Sequence, residues 1–279
     1  MTSMRDILKE ALPNLTPDEV KLLPTGYQLV GDIAVLNLHP SLRQHFPIIG
    51  EVAKKELKAA SVCARTGPVL GELRQPQVEL IAGKKTETTH TENGVFYHLD
   101  LSKVMFSKGN VSERGRLAAV VRKGETVVDM FAGIGYFSLP IAKTGNPRMV
   151  YAIELNPIAM DFLKQNIRLN NLVGKITPIL GDSRKVPMGS VADRVIMGYL
   201  PETWRYLEAA LSYLKPEGGT IHYHDVYPKE SLWDEPTEML EKHAFKYGLR
   251  LQRASNKKIV KQYSPGKCHI VIDAVFKAS

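Results

Sequence analysis

Hydrophobic positions fall into two textures along the chain. Up to about Ser107, short alternating runs stand between helical stretches. Residues 1–23 have helical spacing, with Thr16 placed to cap "PDEVKLLP". "GYQLVGDIAVLNL" reads as a strand pair about Gly31-Asp32, and "LRQHFPIIGEVAKKEL" as a helix with Pro47 near its start. "SVCARTG", "VELIAGK" and "TTHTENGVFYHLD" read as strands separated by turns. Asn93-Gly94 is a strong hairpin signal, because tight hairpin turns need residues that tolerate positive φ. The expectation is a small α+β domain over residues 1–111.

From residue 112 the texture changes. "ERGRLAAVVRKGETVVDMF" predicts a helix over about 112–121, a turn at Lys123-Gly124 and a buried strand. Strands and helices then alternate through "YFSLPIAKTG", "MVYAIEL", "PIAMDFLKQNIRLNNL", "ITPILG", "DRVIMG", "TWRYLEAALSYLK" and "GTIHYHDV". Apolar strands between amphipathic helices imply a parallel sheet with crossovers. "LRLQRASNKKIVKQY" and "KCHIVIDAVFK", joined by Ser264-Pro265-Gly266, look like an antiparallel pair at one edge. A parallel sheet with that ending predicts an α/β fold of the class I S-adenosylmethionine-dependent methyltransferase (Rossmann-like) type for residues 112–279.

Composition narrows the setting. The chain has 279 residues, 44% of them hydrophobic, enough for one large domain or an ordinary domain plus a smaller one. No apolar stretch is long enough to span a bilayer. "MTSMRDILKEALPN" is charged and lacks the apolar core of a signal peptide. Cys63 and Cys268 have no metal-ligand spacing and fit a reducing cytoplasm. Net charge is +8, and Lys242, Lys246, Arg250, Arg253, Lys257, Lys258, Lys261 and Lys267 follow one another with no acid between them. With Tyr247 and Tyr263 interleaved, this stretch reads as a phosphate-binding face or as the solvated surface of a basic protein.

Candidate chemistry gathers at successive strand ends. "VVDMFAGIGYFSLP" is a strand, a glycine turn and a helix start, with Asp129 near the strand's carboxyl end. Gly133 and Gly135 permit close approach of backbone to a ligand. Glu154 ends the next strand, where a carboxylate can accept from both hydroxyls of a ribose. Asp182 and Ser183 follow the third, within reach of an adenine edge. The alternatives are a plain glycine turn with surface acids, or a dinucleotide site. Against the latter, Ser138 stands where the third glycine of the dinucleotide fingerprint belongs.

"FSKGNVSER", "DMFAGIGYFSLP", "IELNP", "DRVIMGYLP" and "QYSPGKCHIVIDAVF" together resemble the archaeal and eukaryotic enzymes that modify the purine 3′ to the tRNA anticodon. Two relatives share this plan: a tRNA guanine-N1 methyltransferase, and the aminocarboxypropyltransferase of wybutosine synthesis. The resemblance runs from about Leu23 to the end, and the extra N-terminal docking domain common in the methyltransferase is expected to be missing. That methyltransferase typically has Asn-Leu-Pro after its fourth strand and an arginine after the Phe-Ser of its linker. Here Gly198-Tyr199 precedes Leu200-Pro201, and Lys108-Gly109-Asn110 follows Phe106-Ser107. Both departures resemble the aminocarboxypropyltransferase.

The resemblance implies S-adenosylmethionine as co-substrate, no metal, and the anticodon loop of tRNA-Phe as partner. The reaction implied is transfer of a 3-amino-3-carboxypropyl group to C7 of 4-demethylwyosine, with release of methylthioadenosine. Tyr199, Pro201 and Asn110 are the expected residues at the acceptor. Ser107, Arg114, Asp129, Phe131, Ala132, Gly133, Gly135, Glu154, Asn156, Asp182, Ser183 and Gly198 are those expected at the co-substrate. Arg114 is either a partner for its carboxylate or a helix-surface residue paired with Glu113. His222, His224 and Asp225 are candidate bases, and Tyr199 is either a platform for the acceptor base or a core aromatic. Gly198 and Pro201 are expected to hold the loop open for the base. A monomeric cytoplasmic enzyme without membrane attachment is expected. The rival readings are guanine-N1 methylation and a non-catalytic RNA-binding module.

Overall fold

The computed structural model describes residues 3–279; residues 1 and 2, which open the first expected helical stretch, lie outside them. Internal contacts divide the chain between Phe106 and Ser107. Ser107 and Asn110 therefore belong to the second unit, ahead of the 111/112 boundary expected from the sequence.

The first unit opens with α1 (Met4–Ala11) and α2 (Pro17–Leu22), each begun by a capping box, Ser3 with Asp6 and Thr16 with Glu19. The expected single stretch is thus two helices, interrupted around Pro13, which lacks an N–H for a helix. β1 (Gln28–Val30) and β2 (Ile33–Asn37) form a hairpin; α3 (Phe46–Leu57) then crosses over to β3 (Ser61–Arg65), parallel to β2, and β4 (Val78–Ala82) returns antiparallel. Leu36, Leu42, Ile49 and Val62 are fully buried between α3 and this sheet. β5 (Glu87–Glu92) and β6 (Val95–Asp100) make a separate hairpin, with Asn93 and Gly94 at φ 50° and 73°, as a tight turn requires.

The second unit runs through α4 (Val111–Val120), β7 (Thr126–Asp129), the short α5 (Ser138–Pro140) continuing into a π turn, β8 (Met149–Glu154), α6 (Pro157–Leu169), β9 (Ile176–Leu180), β10 (Arg194–Met197), α7 (Leu207–Tyr213), β11 (Gly218–Pro228), α8 (Asp234–Phe245), β12 (Leu249–Ser264) and β13 (Lys267–Ala278). Its seven-stranded sheet has the order β12-β13-β11-β10-β7-β8-β9. β7 to β11 are parallel, and β13 is inserted antiparallel beside β11, leaving β12 at the edge. This is the class I methyltransferase-type Rossmann-like arrangement expected. The order reverses at β7, so the carboxyl ends of β7, β8 and β10 flank the crevice where such sheets bind ligands.

One helix was not legible. No element was expected between Val226 and Leu249, yet α8 packs Pro236, Leu240 and Ala244 into the core. Its inward stripe is thin, and two of its three buried residues are Pro and Ala, so the helical period is faint. α8 also splits the basic stretch. Lys242 lies on the helix and Lys246 at its end, while Arg250 to Lys261 lie along the exposed edge strand β12, where lysines also discourage strand addition.

A buried polar line crosses the sheet. Arg116 on α4 donates to Glu113 at 2.5 and 2.9 Å and to Asp273 on β13 at 2.6 and 3.0 Å. His222 on β11 lies between Asp273 at 2.6 Å and Arg194 Nη1 at 2.6 Å, and Arg194 on β10 also pairs with Glu125 at 2.9 Å. Arg194 has only donors, so the His222 Nε2 accepts and its Nδ1–H donates to Asp273. Burial lowers the His222 pKa, in keeping with a neutral ring. Burial by itself raises the Asp273 carboxyl, but the bonds from His222 and Arg116 outweigh it and hold the group well below the usual carboxylate range.

Asp273→Ala is expected to cost about 1–3 kcal/mol of stability, because the buried His222 N–H loses its acceptor, while Arg116 keeps its two bonds to Glu113. A carboxyl depressed in the folded state contributes stability above its unfolded pKa and loses it as pH falls through its folded value. The gap between wild type and variant in urea unfolding should therefore be full at neutral pH and narrow on acidification below about pH 4, the ordinary carboxylate value.

Candidate active site

The turn after β7 needs glycine at two places. Gly133 has φ +56°, and a Cβ there would lie 2.5 Å from the Tyr136 ring; Gly135 has φ +103°, and a Cβ there would meet Leu139 Cγ at 2.6 Å. Ala132 is fully buried and its N–H donates to the Ile153 carbonyl at 2.9 Å, which ties the turn to β8. Asp129 is also fully buried. It accepts from Ser138 Oγ at 2.6 Å and from the Phe131 N–H at 3.4 Å, and burial pushes its pKa up to about 6. Asp129 therefore braces the turn from beneath and offers no surface to a ligand.

Glu154 ends β8 with both oxygens on backbone donors. Oε2 accepts from the Gly133 N–H and Oε1 from the Asn156 N–H, each at 2.7 Å. Burial raises its pKa, and these N–H groups oppose the rise. Each oxygen keeps a second lone pair, so the carboxylate holds the glycine turn and still has acceptor capacity for two hydroxyls. Asn156 caps α6, accepting from Ile158 and Ala159 N–H at 2.9 and 3.4 Å. After β9, Asp182 accepts from the Arg184 side chain at 2.7–3.1 Å and from its N–H at 2.9 Å, and the guanidinium holds its pKa low. Ser183 Oγ is buried without a hydrogen-bond partner, while its carbonyl accepts from Tyr213 OH.

The loop after β10 is held from the next strand. Asp225 on β11 accepts from the N–H groups of Glu202, Trp204 and Val226 at 2.8, 3.1 and 2.8 Å, and from Tyr223 OH at 2.7 Å. Gly198 lies against Phe137, whose ring would be 3.0 Å from a Cβ at that position. Tyr199 packs beside Phe131 and Tyr206, at 5.3 and 5.6 Å between centroids, with Arg184 over the Tyr206 ring at 4.7 Å. Phe131 meets Tyr206 edge-on at 4.8 Å. The loop is thus shaped by Asp225 and an aromatic cluster as much as by Gly198 and Pro201, and Tyr199 is half-buried within that cluster.

Arg114 is buried, unlike the surface residue that one reading allowed. Its Nη2 donates to the Ser107 carbonyl at 2.5 Å and its guanidinium lies 5.1 Å from the Tyr136 ring, while Glu113 pairs with Arg116. Asn110 Oδ1 is buried without a hydrogen-bond partner. Of the candidate bases, His222 and Asp225 are fully engaged as described. His224 shares a 3.1 Å bond with His269 on β13 and packs on Phe137; burial first, and the neighbouring histidines next, lower both rings to about 3, so both are neutral. Sequence reasoning passed over His269, Arg116 and Asp273. His269 and Asp273 are polar residues at buried positions in an otherwise apolar strand, a signal present in "KCHIVIDAVF".

Gly135→Ala should destabilise the second unit by about 1–3 kcal/mol through overpacking against Leu139, with backbone strain in addition. Denaturant titration checks this, and unchanged stability would mean that the turn can move.

Residues 88–252 match the TRM5/TYW2 methyltransferase domain and residues 4–86 the TYW2 N-terminal domain. The chain is 42% identical to the tRNA(Phe) (4-demethylwyosine(37)-C(7)) aminocarboxypropyltransferase of Methanocaldococcus jannaschii, over 90% of this chain and 98% of that one. It is 35% identical to the tRNA (guanine(37)-N(1))-methyltransferase Trm5b of Pyrococcus abyssi, over 92% of this chain and 77% of that one. Its fold matches the crystal structure of P. horikoshii TYW2 in complex with MeSAdo, with a TM-score of 0.84, 38% identity, and coverage of 99% and 100% of the two chains. Family domains over most of the sequence, full-length relatives and a shared fold agree: the chain belongs to the TRM5/TYW2 family.

Proposed function

We propose that the protein transfers the 3-amino-3-carboxypropyl group of S-adenosylmethionine to C7 of 4-demethylwyosine in tRNA-Phe. The observation that carries the reading is the pair Gly198-Tyr199. In the methyltransferases the chain resembles, an Asn that serves the guanine stands directly before Leu-Pro. Here Tyr199 precedes Leu200-Pro201, half-buried against Phe131 and Tyr206, with Gly198 close against Phe137. The aminocarboxypropyltransferases are also the more similar full-length relatives, at 41–42% identity against 35% for two Trm5b enzymes.

The residues fit the co-substrate. The tight glycine turn, closed by Tyr136 and Leu139 to any Cβ, stands beside Glu154, which keeps acceptor capacity for ribose hydroxyls. Asn110 and Ser183 each bring a buried polar oxygen without a partner. Arg114, beside Ser107, is the cation for the carboxylate of the amino-acid arm. In the reaction C7 bonds to the methionine Cγ, the Cγ–S bond breaks with its electron pair left on sulfur, and C7 then loses its proton. Which sulfonium substituent reacts depends on alignment, which the protein sets through Gly198, Tyr199 and Arg114. The reading includes a single-chain cytoplasmic enzyme that grips the anticodon loop with help from the small first unit. Among the described residues, no helix is long and apolar enough to cross a membrane.

Incubation of the purified protein with S-adenosylmethionine and tRNA bearing 4-demethylwyosine should release methylthioadenosine. Release of S-adenosylhomocysteine with unmodified tRNA would instead establish methylation. Glu154→Ala should weaken co-substrate binding by roughly 1.5–3 kcal/mol for each ribose hydrogen bond removed; unchanged affinity in calorimetry removes Glu154 from the site. Neutralising Lys257, Lys258 and Lys261 should lower RNA affinity, and flatten its dependence on the logarithm of salt concentration by roughly one unit for each phosphate left without its cation. Co-substrate affinity should not change.

A further inference from the structure

Beyond Pro201 the second unit has a cavity of about 550 Å³ that no residue of the candidate co-substrate site lines. Its walls include Trp204, Tyr227 and Tyr263, with Met239 from α8. Trp204 and Tyr263 are both 45% exposed and line the same cavity, with Arg205 over the Trp204 ring at 5.4 Å. Glu202, Asp225 and Glu235 supply carboxylates to the lining and Lys267 a cation; Glu202 is paired with Arg205 at 3.1 Å and Asp225 holds the loop N–H groups, so Glu235 is the acid with neither duty. The exposed basic strand β12 runs into the cavity at Tyr263, two residues after Lys261.

We propose that this cavity holds an unpaired nucleobase of the RNA substrate, from a nucleotide next to the acceptor. The proposal rests on the reading that the substrate is RNA. Each part of the cavity matches a part of a nucleotide. Aromatic faces suit the π-face of a base, which stacking reads without regard to sequence. Carboxylates accept from exocyclic amino groups and ring N–H edges. Lysines along β12 and at position 267 suit the phosphates on either side. An apolar protein side chain would use the aromatic walls but leave Glu235, Lys267 and the basic approach along β12 unmatched.

The position argues for a neighbour of the acceptor. The acceptor atom must touch the co-substrate, whose candidate residues lie at the ends of β7, β8, β9 and β10 and at the start of α4. The cavity instead draws on β11, the end of β12, the start of β13 and α8, with the loop after β10. Pro201 and Glu202 belong both to the loop after β10 and to the cavity lining, so a strand of RNA with one base at that loop has its next base at the cavity.

The test is a binding cycle with fluorescently labelled anticodon stem-loops and the full chain. Trp204→Ala and Tyr263→Ala remove exposed rings, and thermal melting checks that each variant stays folded. Each should weaken binding of the intact stem-loop about fivefold to hundredfold, the range for removal of one base–aromatic stack. The slope of affinity against salt should stay at its wild-type value, since every cation that faces a phosphate is still present. A stem-loop made abasic beside the acceptor should bind wild type more weakly by a similar factor, and should lose little more with the double variant. Unchanged affinity of the folded variants, or losses that simply add for variant and abasic RNA, overturns the proposal. So does an abasic acceptor position, rather than a flanking one, cancelling the effect. These readouts need no turnover. If wild type binds by this pattern but releases no methylthioadenosine, the proposed reaction fails while the nucleobase site stands.

Discussion

Backbone N–H groups that leave a parallel strand for its crossover loop need new acceptors, and here the strands supply them as carboxylates. Asp129 takes the Phe131 N–H, Glu154 those of Gly133 and Asn156, Asp182 that of Arg184, and Asp225 those of Glu202, Trp204 and Val226. Each acid stands at or just past the carboxyl end of its strand, or, for Asp225, braces the loop of the neighbouring one. The loops that line the crevice are therefore fastened to the sheet by charge-assisted bonds, which are stronger than neutral ones. Burial raises the pKa of Asp129, Glu154 and Asp225, and the donors from the loops counter that rise. Of these acids, Glu154 accepts one backbone N–H on each oxygen and so keeps acceptor capacity toward the crevice.

The polar line from Arg116 through Asp273 and His222 to Arg194 does for the sheet what the strand-end acids do for the loops. It links α4, β13, β11 and β10, so the antiparallel insertion of β13 and the seat of α4 are set together. Arg114 lies two residues from Arg116 on α4, and its reach to the Ser107 carbonyl depends on that seat. His269, four residues before Asp273 on β13, faces His224 for the same reason. A single ladder of buried charge thus carries the position of side chains that have no direct contact with it.

Much of this was legible in the sequence, because the signals were local. The hairpin at Asn93-Gly94, the N-cap at Thr16 and the glycine turn after Asp129 rest on the local needs of a few residues, and each stands where those needs placed it. The alternation of buried strands with amphipathic helices gave the sheet and its terminal hairpin. Less legible was anything set by partners distant in sequence. Asp129 reads as a ligand-facing acid until Ser138 is seen to close over it. A surface pair of Arg114 with Glu113 is one of the two readings that the sequence leaves open, whereas Glu113 turns to Arg116 and Arg114 is buried against Tyr136. The contribution of Asp225 to the loop after β10 crosses from one strand to the next and has no signature along the chain.

The separation of charge in the second unit follows from these two sets of constraints. The acids at the strand ends hold loop N–H groups, and others pair with cations elsewhere in the unit, Glu125 with Arg194, Asp193 with Lys215 and Glu208 with Lys246. The excess of lysine and arginine is left to surfaces with no such duty, above all β12, which carries five basic residues from Arg250 to Lys261 and no acid. Like charges spread along an exposed edge repel one another and cost stability unless a polyanion covers them. A phosphate backbone laid along β12 would relieve that repulsion by releasing its own counterions. The strand that protects the sheet edge from pairing with another chain is, by the same lysines, the surface best suited to hold RNA beside the crevice.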